Sequence, residues 1–133
     1  MARAQRLLGE EVFAGVVARG FTDVRFAHGH VMAPLTMNDG QRLTDLALGA
    51  AMAPQSINEL VDDLAALGYV ERRPDPVDRR AKRIHLTERG RANTEAGRKA
   101  AAESEQHLGR VLGEKGRDRL RQMLLKLLSD YGA

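Results

Sequence analysis

The chain lacks cysteine and is poor in aromatic side chains, with two tyrosines, three phenylalanines and no tryptophan among 133 residues. The absence of cysteine excludes disulfides, thiolate nucleophiles, cysteine–zinc sites and thiol-based redox sensing by this chain. The few aromatic rings leave few stacking partners for an aromatic ligand. No apolar run approaches the roughly 20 residues that a membrane-spanning helix requires.

Signals for secretion and for enzyme chemistry are also missing. The N-terminal segment reaches Glu10 and Glu11 too early for the apolar region of a signal peptide, so we expect a cytoplasmic protein of bacterial or archaeal type without a membrane partner. There is no glycine-rich phosphate loop or nucleophile elbow. His28 and His30 are two residues apart on a predicted helix and point to different sides. We therefore expect no enzyme activity, no cofactor and no metal site.

Charge is informative through its placement, because the net charge of the chain is only +3. Six basic residues lie in the segment RRPDPVDRRAKR, residues 72–83, where two prolines and two aspartates interrupt them. The apolar residues Ile84 and Leu86 follow at once, which is unlike a disordered basic tail. Basic residues also protect the edge of a solvated hairpin. The elements beside the cluster therefore have to decide whether it binds DNA or only covers an exposed edge.

Helical spacing of apolar residues dominates the rest of the chain, and its length fits one domain, residues 1–133. Residues 4–19 predict an amphipathic helix. A second helix is predicted from Thr22 to about Ala33, with Pro34 marking its end. The segment MNDGQ, residues 37–41, is predicted to be a turn.

Residues 43–86 predict a helix, a tight turn, a second helix and a two-stranded hairpin. Thr44 is expected to cap the first of these helices. The second begins at Pro54, since proline suits the first helical position. The strands are predicted at 69–73 and 81–86. Beyond them, Thr87 is expected to cap a long helix that ends near Leu112, and a last helix is predicted after breaks at Gly113 and Gly116.

This order of elements is a winged helix-turn-helix, which binds DNA. A helix fits the major groove and presents its N-terminal side chains to the base edges. The candidate DNA-binding residues of that helix are Pro54, Gln55, Ser56 and Asn58, although ordinary first-turn polarity is an alternative. In the wing, Arg80 is expected to enter a minor groove, with Asp78 orienting its guanidinium group. The candidate wing residues are Arg72, Arg73, Asp78, Arg79, Arg80, Lys82 and Arg83, and Thr44 is expected near a phosphate.

The run LTDLALGAAMAPQSINELVDDLAALGYVERRPDPVDRRAKRIHLTERG, residues 43–90, resembles the core of multiple-antibiotic-resistance-type (MarR) transcriptional regulators. The segment DPVDRRA followed by LTERG is the most specific part, and the resemblance covers residues 21–90. It implies a homodimer with interlocking terminal helices, in which Arg80 inserts into the minor groove. The sequence departs from the family pattern at Ala51, where members often have glycine, and at Ala53, where a Ser or Thr cap is common.

The resemblance also implies a small-molecule effector, often an aromatic acid, that lowers DNA affinity by binding between the dimerisation helices and the DNA-binding module. Phe26, His28 and His30 are the candidate pocket residues, because the second helix borders that pocket in the family. Ordinary partial burial of the histidines is the alternative. The candidate dimer-interface residues are Leu8, Val12, Leu120, Leu124, Leu127 and Leu128.

Together these features predict a mainly α fold with a small β-hairpin wing. The winged helix-turn-helix module is expected at residues 35–90, between dimerisation helices at 1–20 and 91–133. The expected function is that of a sequence-specific regulator of double-stranded DNA, a dimeric repressor that binds a near-palindromic operator until an effector releases it. The alternative is a winged-helix module that binds another protein through Glu59, Asp62 and Asp63.

Overall fold

The computed structural model describes residues 1–132, which form a mainly helical fold with one small sheet. Helices α1 to α3 occupy Ala2–Ala18, Gly29–Met37 and Leu43–Ala50, and a short 3₁₀ helix, Phe26–His28, precedes α2. Helices α4 to α6 occupy Pro54–Ala66, Glu88–Leu112 and Glu114–Asp130. The strands are β1 (Gln41–Arg42), β2 (Val70–Pro74) and β3 (Lys82–Leu86). The prediction of a winged helix-turn-helix is confirmed.

The sheet is antiparallel, with the order β1-β3-β2. Strand β2 pairs with β3 from Val70, opposite Leu86, to Pro74, opposite Lys82, and so forms the predicted hairpin. Strand β1 was predicted as part of a turn, because a strand of two residues leaves no alternating pattern in the sequence. It pairs with the other edge of β3 and leads directly into α3. The hairpin is therefore tied to the helix-turn-helix through backbone hydrogen bonds.

The predicted end of the second helix at Pro34 is wrong. Pro34 lies inside α2, and the residues before Phe26 are not helical. A proline inside a helix removes one backbone hydrogen bond, but burial of Val31, Met32 and Leu35 on the same short helix offsets that loss. At the end of α2 the Pro34 carbonyl accepts hydrogen bonds from the Asn38 backbone N–H at 3.0 Å and from the Gln41 side-chain amide at 2.9 Å.

The core lies among α2, α3, α4 and the sheet. The side chains that contribute most to it are almost fully buried, and they are Val31, Leu35, Leu46, Ile57, Val61, Leu64, Tyr69 and Ile84. On α4, Ile57, Leu60, Val61 and Leu64 fall on one face at helical spacing, which leaves the opposite face of this helix free. The core thus fixes which side chains of α4 point away from the protein.

Tyr69 joins the core to the base of α5. Burial, together with the hydrogen bond that the hydroxyl donates to the Asp23 carboxylate, raises the pKa of Tyr69 to about 12. The hydroxyl therefore stays protonated and donates to Asp23. The guanidinium of Arg89 lies 4.3 Å from the ring centroid, and it also pairs with Asp23 at 2.8 Å. This cluster fixes the start of α5, where the Thr87 hydroxyl caps the helix as predicted, accepting a hydrogen bond from the Gly90 amide.

Helices α1 and α5 add Val16 and Ala100 to this core, whereas α6 lies outside it. Helix α1 packs closely on α5, where a Cβ added at Gly15 would lie 2.7 Å from the Cβ of Ala100. Helices α5 and α6 are separated at Gly113, whose φ of +75° suits glycine. Gly116, predicted as part of the break, instead lies inside α6. No residue of α6 is buried.

Candidate nucleic-acid interface

The start of α4 presents polar, uncharged side chains. Pro54 occupies the first helical turn, as predicted, and there is no acidic residue in that turn. Gln55 is exposed, and Ser56 and Asn58 are half-buried on either side of the buried Ile57. Free backbone N–H groups at a helix N-terminus favour a phosphate. The structure therefore places the predicted base-reading residues together, around the exposed end of one helix.

Thr44 does not cap α3, so this prediction is corrected. The helix begins at Leu43, with Arg42 in the capping position and no side-chain cap. The reason is that β1 runs straight into α3, which moves the boundary upstream of Thr44. Thr44 is exposed in the first turn of α3, and it lines a groove of about 430 Å³ between α3, α4 and β3.

The loop between β2 and β3 is organised by Asp75, which the sequence pattern did not single out. The Asp75 side chain is fully buried. One carboxylate oxygen accepts hydrogen bonds from the Val77 and Asp78 amides at 2.8 and 3.0 Å. The other accepts from Arg42 Nε at 2.9 Å and Arg83 Nε at 2.7 Å. One carboxylate thus joins β1, β3 and the loop that connects β2 to β3.

These contacts hold the pKa of Asp75 well below its ordinary value. The hydrogen bonds from the Asp78 and Val77 backbone amides contribute most, desolvation by burial opposes them, and the two guanidinium groups add to the lowering. The available signal in the sequence is an aspartate between two prolines at the start of a turn, but its partner Arg42 is 33 positions away. Local pattern could not reveal that pairing.

Asp78 positions the following residues through the backbone. Its carboxylate accepts the Arg80 backbone N–H at 3.0 Å, and its carbonyl accepts the Ala81 N–H at 3.0 Å. The predicted contact with the Arg80 guanidinium is absent from residues 1–132, so Asp78 shapes the turn that carries Arg80. Arg79 and Arg80 are exposed at the tip of the wing.

The basic residues of the wing fall into two groups. In the first group, Arg72 forms an ion pair with Asp62 at 2.6 Å, and Arg73 forms one with Glu71. Arg83 is held by Asp75 and by the Gly40 carbonyl at 3.1 Å. Among residues 1–132, Arg79, Arg80 and Lys82 form no ion pair. The sequence could not separate these groups, because the distinction depends on neighbours from other elements.

A cavity of about 550 Å³ lies between α1, the 3₁₀ helix, α2 and α5. The three candidate pocket residues, Phe26, His28 and His30, all line it. Phe26 packs edge-to-face on Phe13, with ring centroids 5.9 Å apart. His28 is almost fully buried and its Nδ1 accepts the Arg25 backbone N–H at 2.9 Å, so it also has a structural role. The lining is mostly apolar, which suits a small organic ligand.

The cavity wall is connected to α4 by an ion pair and a hydrogen bond that the sequence pattern did not reveal. Arg25 Nη2 lies 2.6 Å from the Asp63 carboxylate, and His28 Nε2 lies 3.4 Å from it. Hydrogen bonds from Arg25 and then His28 lower the pKa of Asp63. A displacement of the 3₁₀ helix would therefore act on α4.

Metal sites and membrane spans are both absent from residues 1–132. No group of three or more His, Cys, Asp or Glu side chains is arranged to hold a metal ion within this part of the chain. None of the helices described has the length and hydrophobicity needed to cross a membrane.

Comparisons with known proteins agree with this geometry. The family model described as MarR family matches residues 22–81. A structure of the transcriptional repressor CouR bound to a 23-mer DNA duplex has 29% identity and a TM-score of 0.76, covering 96% of this chain and 88% of that one. A MarR transcriptional regulator from Methanosarcina mazei has 20% identity and a TM-score of 0.82, with 97% and 91% covered. No curated protein sequence gives a significant match.

A third structure also contains nucleic acid. It is a mutant of S. aureus MepR bound to an oligodeoxyribonucleotide, with 23% identity and a TM-score of 0.65, covering 98% of this chain and 94% of that one. At this level of identity the likeness concerns the fold. The elements that form the candidate interface therefore occur in a fold that is found in complexes with DNA.

The Asp75 contacts generate a prediction about pH. Because the folded pKa of Asp75 is lowered, its ionised form stabilises the protein above about pH 4, and this contribution decreases as the pH falls below the ordinary aspartate value. Asp75→Asn should lower the free energy of unfolding at neutral pH, since an amide N–H₂ would face two guanidinium groups. Urea denaturation of both proteins should give a stability difference that is constant above about pH 5 and narrows towards pH 2.

Asp130→Asn is the matched control, because it removes the same charge at the end of α6, away from the wing. It should leave the stability near the wild-type value at neutral pH. An Asp75→Asn deficit of equal size at pH 2 and pH 7 would contradict a role for the ionised carboxylate.

Proposed function

We propose that this chain is a DNA-binding transcriptional regulator of the MarR type and not an enzyme, because the MarR family model matches residues 22–81 and the chain resembles a DNA-bound repressor over 96% of its length. We propose further that it is a homodimeric repressor of a near-palindromic operator. Each subunit contributes α4 to a major groove and the wing to an adjacent minor groove. A small molecule bound in the cavity releases the repressor from DNA. The CouR relative supports the repressor role, since it is described as a repressor and is bound to duplex DNA.

The observation that carries the DNA-binding proposal is the distribution of charge around α4. Its first turn has no acidic residue, and the nearby wing tip exposes Arg79 and Arg80. The acidic residues Asp62 and Asp63 are each paired with an arginine. This pairing also disfavours the alternative of a protein-binding surface, because two of its three expected acidic side chains are already neutralised.

The proposed dimer rests on the exposed apolar face of α6. Leu124, Leu127 and Leu128 remain 46%, 45% and 50% exposed, and Leu120 is only half-buried. Leu8 and Val12 of α1 are also half-buried. Leucines at spacings of three and four residues form a stripe that helices usually bury. A second copy of the chain would cover this stripe and hold two recognition helices about one turn of DNA apart, roughly 34–36 Å.

The proposed effector site is the cavity between α1, α2 and α5. Its volume of about 550 Å³ fits a small organic molecule. The mostly apolar lining includes a few polar groups, among them the basic side chains of Arg25 and Arg98, which suits an aromatic acid. Since Arg25 and His28 also contact Asp63 on α4, a ligand that draws Arg25 away would change the position of the recognition helix.

The first prediction from this proposal concerns the wing tip. Arg80→Ala should weaken binding to a duplex selected by the wild-type protein by about 1–3 kcal/mol, because no guanidinium group then enters the minor groove. Fluorescence anisotropy titration would measure the change. Arg110→Ala, which removes an equal charge at the end of α5, is the control and should bind normally. Equal affinities of Arg80→Ala and wild type would count against the wing contact.

The second prediction concerns the dimer. The double substitution Leu124→Glu with Leu128→Glu should give monomers in sedimentation velocity experiments, because two leucines of each subunit, worth about 1.5–3 kcal/mol apiece when buried, become charged. Lys126→Glu changes the net charge by the same amount within α6 and should stay dimeric. The dimer model fails if the double variant sediments as wild type does.

The third prediction concerns the cavity. Ala101 lines it, so Ala101→Phe should fill the space and abolish release from DNA by small aromatic carboxylic acids, while DNA binding persists. Ala102→Phe places the same ring one position along α5, outside the lining, and should respond as wild type does. Release assays with a panel of such acids would test this. If an acid releases wild type and Ala101→Phe equally, it acts elsewhere.

A further inference from the structure

Arg72 of β2 is directed towards the recognition helix. Its Nη2 atom donates to Asn58 Oδ1 at 3.0 Å and to Asp62 Oδ1 at 2.6 Å. Asn58 and Asp62 are one helical turn apart, so a single guanidinium group spans both. The Arg72 side chain is only 30% exposed. This bridge joins the wing to the helix that is proposed to read the bases.

The bridge determines which way the Asn58 amide faces. An arginine has only donors, so the group that meets it must be the Asn58 oxygen. The amide N–H₂ therefore lies on the other side and remains available as a donor. A bidentate contact with adenine would need the oxygen and the N–H₂ of Asn58 together. Arg72 occupies one of the two lone pairs of this oxygen and fixes its direction towards the wing, so the arrangement favours bases that present acceptors to the N–H₂ group.

The bridge also neutralises an acidic residue on the reading face of α4. Gln55, Asn58 and Asp62 are spaced by three and four residues, so they lie on one face of the helix. An unpaired carboxylate at Asp62 would repel nearby phosphates. With Arg72 bound at 2.6 Å, the local charge of the pair is close to zero. Arg72 is thus committed to the protein, in contrast to Arg79 and Arg80 at the wing tip.

We infer that Arg72 is a specificity-determining residue that acts through Asn58. It holds the amide as a donor towards the N7 and O6 acceptors of guanine in the major groove, and it makes no phosphate contact of its own. This inference replaces the expectation that Arg72 binds DNA directly. It rests on the proposed DNA-binding function and adds a base preference to it.

The test compares the wild-type protein with the double variant Arg72→Ala, Asp62→Asn, which removes one charge of each sign and keeps the net charge. Both full-length proteins select binding sites from a random duplex library, and the selected duplexes are then titrated at several salt concentrations. At the base pair that Asn58 contacts, the wild-type protein should favour guanine. The ratio of its affinity for guanine to its affinity for the other bases should be about tenfold smaller in the variant. The dependence of affinity on salt should remain unchanged.

Three further variants make the result specific. Asn58→Ala should lose preference at the same base pair, which identifies the position. Arg19→Ala with Glu103→Gln removes an equivalent ion pair between α1 and α5 and should keep the wild-type preference. Lys82→Ala is the positive control for a phosphate contact. It should lower the slope of log affinity against log salt concentration by about 0.9 for each phosphate that the protein no longer neutralises.

Two results would overturn the inference while leaving DNA binding intact. One is an unchanged base preference in the Arg72→Ala, Asp62→Asn variant. The other is a salt slope that falls in this variant as it does in Lys82→Ala, because that would make Arg72 a phosphate contact. If wild type enriches no sequence from the library, the proposed function itself fails, and the inference fails with it.

Discussion

The buried carboxylate of Asp75 fixes the geometry on which the rest of the interface depends. It binds Arg42 before α3, Arg83 on β3 and two backbone amides of the wing loop. Strand β1, which ends at Arg42, leads directly into the helix-turn-helix. The wing therefore cannot pivot freely about its own strands, because its base is bound to the module that presents α4. The direction of the wing relative to α4 therefore depends on the Asp75 carboxylate, a buried charge whose two oxygens both accept hydrogen bonds.

Ion pairs on α4 extend this connection in two directions. Asp62 binds Arg72 on the wing side, and Asp63 binds Arg25 on the side of the cavity. Adjacent carboxylates at the middle of a helix that is proposed to read DNA are otherwise unfavourable, since they would repel phosphate. Paired in this way, they instead connect the helix to the wing and to the wall of the proposed effector site. The same pairs that remove repulsion give the helix its coupling to both neighbours.

Local chemistry was predictable from the sequence, and contacts between distant segments were not. Pro54 begins α4 and Thr87 caps α5 as expected, because each signal depends on adjacent residues. The winged fold also followed from the order of elements, and the resemblance of the wing segment to MarR regulators agrees with the family model that matches residues 22–81. Strand β1, the Asp75 cluster and the Arg72 bridge were not predicted, since each depends on a partner from another element: Ile84 for Gln41, Arg42 for Asp75 and Asp62 for Arg72. Ala51, where the resemblance led us to expect glycine, adopts a left-handed conformation with φ of 51°, which glycine adopts more readily than alanine.

The most direct test of the account is a crystal structure of the full-length protein bound to its selected duplex. We expect two subunits on one duplex, with the N-terminal turn of each α4 in a major groove and each Arg80 in a neighbouring minor groove. Asp75 should retain its contacts with Arg42 and Arg83, so that wing and helix dock as one rigid unit. A single subunit on the duplex, or a wing that swings free of Arg42 to reach the DNA, would contradict the account.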